Sequence, residues 1–255
     1  MKTTTKCLLS LVAAIGTYNA QAAPLNNMVA NWHIDEGAGQ KILDSSAYGK
    51  HGQLGGSTAA DAADPLWISR RFDDAALNFT GGQYVKIPHA AILEPQKISV
   101  EAWIKAGTTD ATVPLYVLAK SNHACSYAAY GLYLHENATH SNGVPYFYVA
   151  NSDGSSYTES PDPGYSLMDG KWHHLVGTYD LNAVRLYVDG VQVGTGTPTK
   201  SAIGYGSFSQ KDVYIGSFDN GANGCPYQFI GSIDEVRIWN KALTASDVLT
   251  RYKGY

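Results

Sequence analysis

The chain carries little charge and no concentration of it. Its 255 residues include 18 lysines and arginines against 22 aspartates and glutamates, a net charge of −4, and no run of like charges occurs. Nucleic acid binding needs a basic stripe and an anionic membrane surface attracts a basic cluster, so neither partner is indicated. Cys-x-x-Cys and His-x-x-x-His spacings are also missing, which disfavours a zinc site.

Long apolar runs are missing too. The longest candidate extends from Cys7 to about Ile15, after a basic start and before the sequence Ala20-Gln-Ala22. This order is typical of a secretory signal peptide cleaved near Ala22, and the apolar segment is too short to span a bilayer. We therefore expect residues 1–22 to be removed and residues 23–255 to form one secreted or periplasmic domain.

Cysteine is scarce, with three in the sequence. Cys7 lies in the predicted signal peptide, which leaves Cys125 and Cys225. An isolated pair in an exported protein favours a disulfide, so we predict that Cys125 pairs with Cys225. Two buried free thiols are the alternative.

Glycine (26) and tyrosine (18) are abundant, as in β-proteins with many turns and aromatic surfaces. Most periodic segments alternate with a period of two between Gly- and Asn-rich turn signals. The predicted strands are 29–34, 76–79, 83–87, 98–105, 115–119, 130–136, 145–150, 172–179, 184–189, 212–216 and 230–239. Thr244 is a good N-cap for one short helix over 245–252. The pattern predicts an all-β fold, a two-sheet antiparallel jelly-roll sandwich with one C-terminal helix.

Several segments carry motifs that are specific for one fold. Val29-Ala-Asn-Trp-His-Ile-Asp-Glu-Gly37 leads into Asp44-Ser-Ser-Ala-Tyr-Gly-Lys-His-Gly52, and the chain closes with Gly231-Ser-Ile-Asp-Glu-Val-Arg-Ile-Trp239. These segments resemble the opening strand, opening loop and closing strand of the laminin-G-like, concanavalin-A-like jelly rolls. Ala47 departs from that pattern, where the family usually has glycine. The resemblance implies a jelly-roll fold that mostly handles sugars, over roughly residues 29–250.

The closing strand places a carboxylate among apolar residues. Strict alternation puts Asp234 on the same side as Val236 and Ile238, where a charge is costly unless it is paired or binds a cation. The resemblance implies a structural calcium ion between the opening loop and the closing strand. We predict Asp44 and Asp234 as its ligands, supplemented by backbone carbonyls. The alternative has no metal: Asp44 caps a turn and Asp234 accepts backbone N–H bonds.

Two neighbouring predicted strands place aromatic residues on an outer surface. Alternation with core residues puts Tyr133 and His135 on one strand, and Tyr146 and Tyr148 on the next, away from the core. Tyrosine rings stack on sugar faces while their hydroxyls form hydrogen bonds, so this row predicts a glycan-binding platform in an open groove. The alternative is that the tyrosines serve only β-propensity and cross-strand pairing.

The predicted disulfide would draw two loops together at the rim of this groove. It would preorganise a site there, or merely protect two long loops. The residues brought near the tyrosines would be Lys120, Asn122, His123 and Tyr227. A lysine at the position of Lys120 is also common in laminin-G-like domains.

Hydrolase motifs are missing. There is no Glu-x-Asp-x-x-Glu strand for paired-carboxylate glycoside hydrolysis and no Gly-x-Ser-x-Gly elbow. A polysaccharide lyase needs a base, an acid and a group that neutralises the uronate carboxylate. The groove offers Lys120, His123, His135 and Tyr227 as catalytic groups and Asn122, Tyr133, Tyr146 and Tyr148 as substrate-binding groups.

We therefore predict a monomeric, secreted lyase that cleaves an acidic polysaccharide such as ulvan or alginate by β-elimination. Its likeness to jelly-roll lyases is architectural only, because the alginate-lyase patterns Gln-x-His and Tyr-Phe-Lys-x-Gly-x-Tyr are absent. One alternative is a non-catalytic, lectin-like carbohydrate-binding module, which would use the same tyrosines without a base. Another is an adhesion protein, which would expose apolar patches.

Overall fold

A computed structural model describes residues 27–71, 74–107, 113–120, 128–136, 142–152, 156–206, 211–221, 225 and 227–254. The first nine strands are β1 (Met28–Trp32), β2 (Lys41–Ile42), β3 (Gly52–Leu54), β4 (Leu66–Arg71), β5 (Asp74–Thr80), β6 (Val85–Ile87), β7 (Ile98–Ala106), β8 (Leu115–Lys120) and β9 (Tyr130–His135). The others are β10 (Val144–Ala150), β11 (Tyr157–Glu159), β12 (His173–Tyr179), β13 (Ala183–Val188), β14 (Val191–Gln192), β15 (Thr197–Pro198), β16 (Val213–Ile215) and β17 (Ile230–Trp239). A 3-10 turn covers Ala91–Leu93, and helix α1 covers Ala245–Lys253.

These strands form two antiparallel sheets. The back sheet has the order β14-β13-β12-β7-β17-β5-β4, with β1 paired to β17 and β15 paired to β13. The front sheet has the order β11-β10-β9-β8-β16-β6-β3-β2. The inner faces of the two sheets enclose one apolar core. This two-sheet sandwich with a C-terminal helix confirms the predicted jelly-roll fold.

The predicted alternation along the closing strand is wrong at one residue. A bulge interrupts the pairing of β17 with β7 between Asp234 and Arg237, and Glu235 adopts a left-handed backbone with φ of 53°. Ile233 therefore lies in the core together with Val236, whereas the Asp234 carboxylate binds the guanidinium of Arg70, which is not part of the core. A single extra residue shifts the following residues to the other side of a strand, so Asp234 does not share a side with Val236 and Ile238.

Helix α1 begins with a capping box. The Thr244 side chain accepts from the backbone N–H of Asp247, whose carboxylate accepts from the backbone N–H of Thr244. The helix packs on the outer face of the back sheet: Tyr252 stacks on Trp103 at 5.9 Å, and the Arg251 guanidinium lies 4.6 Å from the Trp239 ring. Among the described residues, no helix is long and apolar enough to cross a membrane.

Candidate functional site

The outer face of the front sheet carries a cluster of tyrosines where β8, β9 and β10 run side by side. Tyr133 is the cross-strand partner of Tyr146 and of Tyr116. Leu132 and Phe147 face the core, whereas the tyrosines form a separate cluster on the other side. The sides of Tyr133, Tyr146 and Tyr148 therefore follow the alternation that the sequence predicts. The structure adds Tyr116, which sequence reasoning missed; on β8 an irregularity between Tyr116 and Leu118 interrupts the period, so that Val117 and Leu118 both face the core.

The cluster is more enclosed than an open platform. The exposed fractions of Tyr116, Tyr133, Tyr146 and Tyr148 are 5, 6, 7 and 1%. Neighbouring rings cover one another: Tyr116 stacks on Tyr133 at 5.1 Å and meets Tyr148 edge-on at 6.4 Å. The pattern shows which side of a strand a residue occupies, but not how much of that side its neighbours cover.

A pocket of about 100 Å³ opens through this cluster. The buried rings of Tyr116, Tyr133 and Tyr148 form part of its wall. More accessible residues, namely Pro114, His135, Tyr157 and Tyr227, complete the lining. Tyr157 is 41% exposed and its ring lies 4.9 Å from that of Tyr148, while Tyr227 lies 6.2 Å from Tyr116. The pocket thus has an aromatic wall and an aromatic entrance.

Hydrogen bonds fix the buried tyrosines. The hydroxyls of Tyr116 and Tyr148 lie 2.9 Å apart, and the backbone N–H of Ala128 donates to Tyr148 Oη at 2.7 Å. The Tyr133 hydroxyl donates to the carboxylate of Glu159 on β11. Burial raises the pKa of Tyr116, Tyr133 and Tyr148 above the ordinary phenol value. These phenols stay protonated at neutral pH, which suits hydrogen bonding and does not suit a catalytic base.

Gly131 on β9 makes room for the rings. A Cβ at this position would lie 2.6 Å from the ring of Tyr148 and 2.9 Å from that of Tyr116. Both separations are too short for carbon atoms, so any side chain here would displace the rings. The glycine lies between Ala119 and Tyr148 in the sheet register, and its missing side chain allows the two tyrosines to approach each other.

The predicted catalytic residues do not all meet at this pocket. His135 and Tyr227 line it. Lys120 is 1% exposed, and its ammonium binds His89 Nδ1 at 2.9 Å and the backbone carbonyl of Lys211. None of these partners lines the pocket, and burial lowers the pKa of Lys120 to about 8. The Lys120 ammonium therefore serves to hold the segments of His89 and Lys211, and it does not reach the pocket.

Three further predicted residues, Asn122, His123 and Cys125, lie outside the described residues. Cys225 is 2% exposed and packs in the tyrosine cluster. Its pairing with Cys125 stays a prediction.

The two carboxylates predicted to share a calcium ion are engaged separately. Asp44 accepts from the backbone N–H groups of Asn31, Ser46 and Lys50 and from the Ser46 hydroxyl. Asp234 accepts from Arg70 at 2.6 Å and from the backbone N–H of Glu235. This geometry matches the metal-free alternative for Asp44, and protein donors already occupy both carboxylates. The pair does not fit a shared cation in this arrangement.

A different group of possible metal ligands lies beside them. The ligand atoms of His33, Asp35 and Glu235 lie within 4.8 Å of one another. Glu235 also binds Arg237, and burial together with a hydrogen bond to Asp74 raises the pKa of Asp35 to about 6. The carboxylates of this group are thus already engaged with protein partners. Sequence reasoning missed the group because the bulge at Glu235 forms it.

A family model matches residues 79–249; it is that of the concanavalin A-like lectin/glucanase superfamily, in its laminin G form. Pappalysin-1 of Mus musculus is 24% identical over 179 residues, which covers 69% of this chain and 11% of that protein. Pappalysin-1 of Homo sapiens is 23% identical over the same length. The chain thus spans about a ninth of the curated relatives that it matches.

Solved structures share the fold at low identity. The binding domain of Paraclostridial Mosquitocidal Protein 1 has a TM-score of 0.65 and 13% identity, covering 91% of this chain and 53% of that one. Domain 4 of an extracellular arabinanase from Geobacillus stearothermophilus, in complex with arabinotriose, has a TM-score of 0.58 and 20% identity, with 88% and 97% covered. The ligand-binding domain of botulinum neurotoxin serotype D, in complex with N-acetylneuraminic acid, has a TM-score of 0.62 and 14% identity, with 90% and 51% covered.

Proposed function

This chain belongs to the concanavalin A-like lectin/glucanase superfamily, and we propose that it binds a carbohydrate in the tyrosine pocket of the front sheet. The observation that carries the proposal is the aromatic entrance formed by Tyr157 and Tyr227 over a wall of hydrogen-bonded phenols. Aromatic rings bind the apolar faces of sugars, and the polar groups around them fix orientation. Two similar domains solved with a sugar bound support this choice.

The pocket favours binding of a single sugar unit. Its volume of about 100 Å³ is small beside the roughly 300–1,000 Å³ of ordinary ligand pockets, so it can admit part of one sugar ring and not a segment of a polymer. Wall residues held by mutual hydrogen bonds need little reordering on binding, and preorganisation of this kind improves affinity. We infer a lectin-like site that binds one sugar unit of a larger glycan.

The predicted lyase reaction receives less support from the pocket. A lyase needs a base next to a cation or an amide that neutralises the uronate. His135 lines the pocket and could be a base, but the Lys120 ammonium binds His89 instead. Burial also raises the pKa of the wall tyrosines, so the phenolate that would act as a base is scarcely populated at neutral pH. Binding without cleavage is therefore our proposal. Release of unsaturated uronate from alginate or ulvan, followed by ultraviolet absorbance, would instead establish the lyase.

The binding proposal predicts a loss of affinity when the entrance rings are removed. Tyr157→Ala and Tyr227→Ala should each weaken glycan binding about tenfold, since the stacking of a sugar on an aromatic ring contributes on the order of 1 kcal/mol or more. A glycan microarray identifies the ligand, and isothermal titration calorimetry gives the affinities. Tyr48→Ala is the matched control, because Tyr48 is 44% exposed, similar to Tyr157, and lies in the opening loop. Unchanged affinity in both entrance variants, or no glycan bound at all, would contradict the proposal.

Two other predictions remain proposals. Secretion after cleavage near Ala22 is tested by the N-terminal sequence of the exported protein. A structural calcium ion, for which Asp44 and Asp234 would have to give up their present protein donors, is tested by melting with and without a chelator. An unchanged melting temperature would count against the ion.

A further inference from the structure

The segments that build the tyrosine face contain almost no cationic residues. The sequence has no lysine or arginine between Lys120 and Lys171, or from Asp212 to Val236. The first interval includes β9, β10, β11 and the loops between them, and the second includes β16 and the approach to Tyr227. Because this count comes from the sequence, it includes the loop residues of these two intervals that lie outside the described ranges. The carboxylic acids in the first interval are Glu136, Asp153, Glu159, Asp162 and Asp169.

One of these acids is part of the site. Glu159 is on the edge strand β11, next to Tyr148 in the register, and its carboxylate accepts from the Tyr133 hydroxyl on the pocket wall. Glu159 is only partly buried, so solvent and salt still reach it, and burial raises its pKa above the ordinary carboxyl value, so its negative charge is fullest in alkaline solution. The fixed charge beside the pocket is therefore negative.

The cations nearest in the fold are engaged elsewhere. Lys120 ends β8, but its ammonium binds His89 and the Lys211 carbonyl. Lys86 on β6 faces the same side as the tyrosines, since its neighbours Val85 and Ile87 lie in the core. It binds Asp212 at 3.1 Å. Three strand steps separate β6 from β9, about 14 Å at the usual strand spacing, which is beyond the reach of a lysine side chain.

We propose that this pocket selects uncharged polysaccharides and discriminates against uronate polymers, a choice that rests on the proposed function. A uronate bound among these residues would bring its carboxylate close to Glu159, and neither interval supplies a lysine or arginine to neutralise it; like charges placed together at an interface weaken binding. An uncharged sugar offers only hydroxyl groups, which can donate to a carboxylate in a charge-assisted hydrogen bond. The charge distribution thus favours a neutral pentose or hexose polymer over the acidic polymer that the sequence alone predicts.

The test compares polymers that differ in charge alone. Polygalacturonate, alginate and glucuronoxylan are each measured before and after chemical reduction of their carboxylates to primary alcohols, beside neutral arabinan and xylan. Titrations are done at low ionic strength and about pH 8, where imidazoles are ordinarily neutral. We expect every polymer that binds to do so in an uncharged form, with the unreduced partner at least about tenfold weaker. High salt should shrink that ratio, since the repulsion is screened.

A variant tests whether the charge of Glu159 causes the weaker binding of uronate polymers. Glu159→Gln retains an acceptor for the Tyr133 hydroxyl and removes the negative charge, so we expect the ratio between reduced and unreduced polymers to fall at least about threefold. Asp169→Asn changes the net charge equally in an exposed loop of the back sheet and should leave the ratio unchanged. If Glu159→Gln does not fold, the comparison of reduced and unreduced polymers on the wild-type protein still tests the selectivity itself.

The outcomes separate the two proposals. Binding of any uronate polymer as tightly as its reduced form, or a ratio that salt does not change, overturns the selectivity and leaves carbohydrate binding in place. No binding to any polymer or arrayed glycan overturns the proposed function, and the selectivity with it.

Discussion

Gly131 is the residue on which the shape of the pocket depends most directly. A methyl group there would meet the rings of Tyr148 and Tyr116 at 2.6 and 2.9 Å. The hydroxyls of the two tyrosines are hydrogen-bonded to each other, and that of Tyr148 also accepts from the backbone N–H of Ala128. Because overpacking in a tight site costs about 1–3 kcal/mol, we expect Gly131→Ala to lower the melting temperature by several degrees. It should also weaken glycan binding at least about fivefold, by moving the pocket wall.

Gly254→Ala is the control for this substitution. Gly254 follows helix α1 with φ of −78°, and a Cβ there would make only ordinary contacts at 3.5 Å. The two variants are compared by differential scanning fluorimetry and by titration with the glycan found on the array. Full affinity in Gly131→Ala would mean that the buried rings do not shape the site.

At this scale the sequence predicts orientation better than accessibility. The period of two correctly predicts that Tyr133, Tyr146 and Tyr148 share a side, because that side follows from the backbone alone. Burial depends on rings from other strands, such as Tyr157 on β11 and Tyr227 before β17. The position of the Lys120 ammonium likewise depends on His89 and Lys211, which are distant in sequence, so no local pattern predicts it.

Among the elements, helix α1 is joined to the back sheet by a buried ionic group. Glu101 on β7 is fully buried, and its carboxylate binds Arg237 of β17 at 3.0 Å and Arg251 of the helix. His174 Nε2 of β12 lies 3.2 Å away. Burial alone would raise the pKa of Glu101, but these three groups together lower it from 4.5 to about 2. The charged form of Glu101 is therefore favoured in the folded state.

The pH dependence of stability follows from the sign of this shift. The folded-state pKa lies below the unfolded-state value, so the stabilisation is complete above about pH 4.5 and is lost as the pH falls toward about 2. The shift corresponds to about 3 kcal/mol. We expect Glu101→Gln to lower the free energy of unfolding by about 3 kcal/mol or more at pH 7, since two arginines lose their anion. The difference from the wild type should shrink below about pH 4.5.

Urea unfolding over a series of pH values measures this effect. Glu136→Gln is the control, because Glu136 is exposed and surface substitutions usually change stability by less than about 0.5 kcal/mol. If the difference in the free energy of unfolding between the wild type and Glu101→Gln stayed constant from pH 7 to about pH 2.5, the lowered pKa of Glu101 would not be the source of this stability.

The elements also show where a periodic pattern stops being informative. The predicted segments 98–105, 130–136 and 145–150 match β7, β9 and β10 closely, because each is a long strand with one face in the core. Strand β11 has only Tyr157–Glu159 and a partly exposed burial pattern, so it shows no clear period, although it contributes Glu159 to the site. The bulge at Glu235 adds one residue with no compositional signal, which is why the prediction for Asp234 failed.

At the scale of the whole molecule, the predicted disulfide would connect regions that are far apart in sequence. Cys225 packs in the tyrosine cluster, so a bond to Cys125 would tie the chain after β8 to the chain before β17 and close a loop of roughly a hundred residues, rated at about 4–5 kcal/mol by the chain-entropy model. For a domain of this size each 1 kcal/mol corresponds to about 2–4 °C. We expect a reductant to lower the melting temperature by about 10 °C and to weaken glycan binding, because the loops beside Tyr227 lose their constraint. The double variant Cys125→Ser/Cys225→Ser should melt at that lower temperature with or without reductant, and the folded wild type should show no reactive thiol. Two titratable thiols in mature protein that is unfolded without reductant would contradict the pairing and indicate buried free cysteines. The pocket would then be held by tyrosine packing alone.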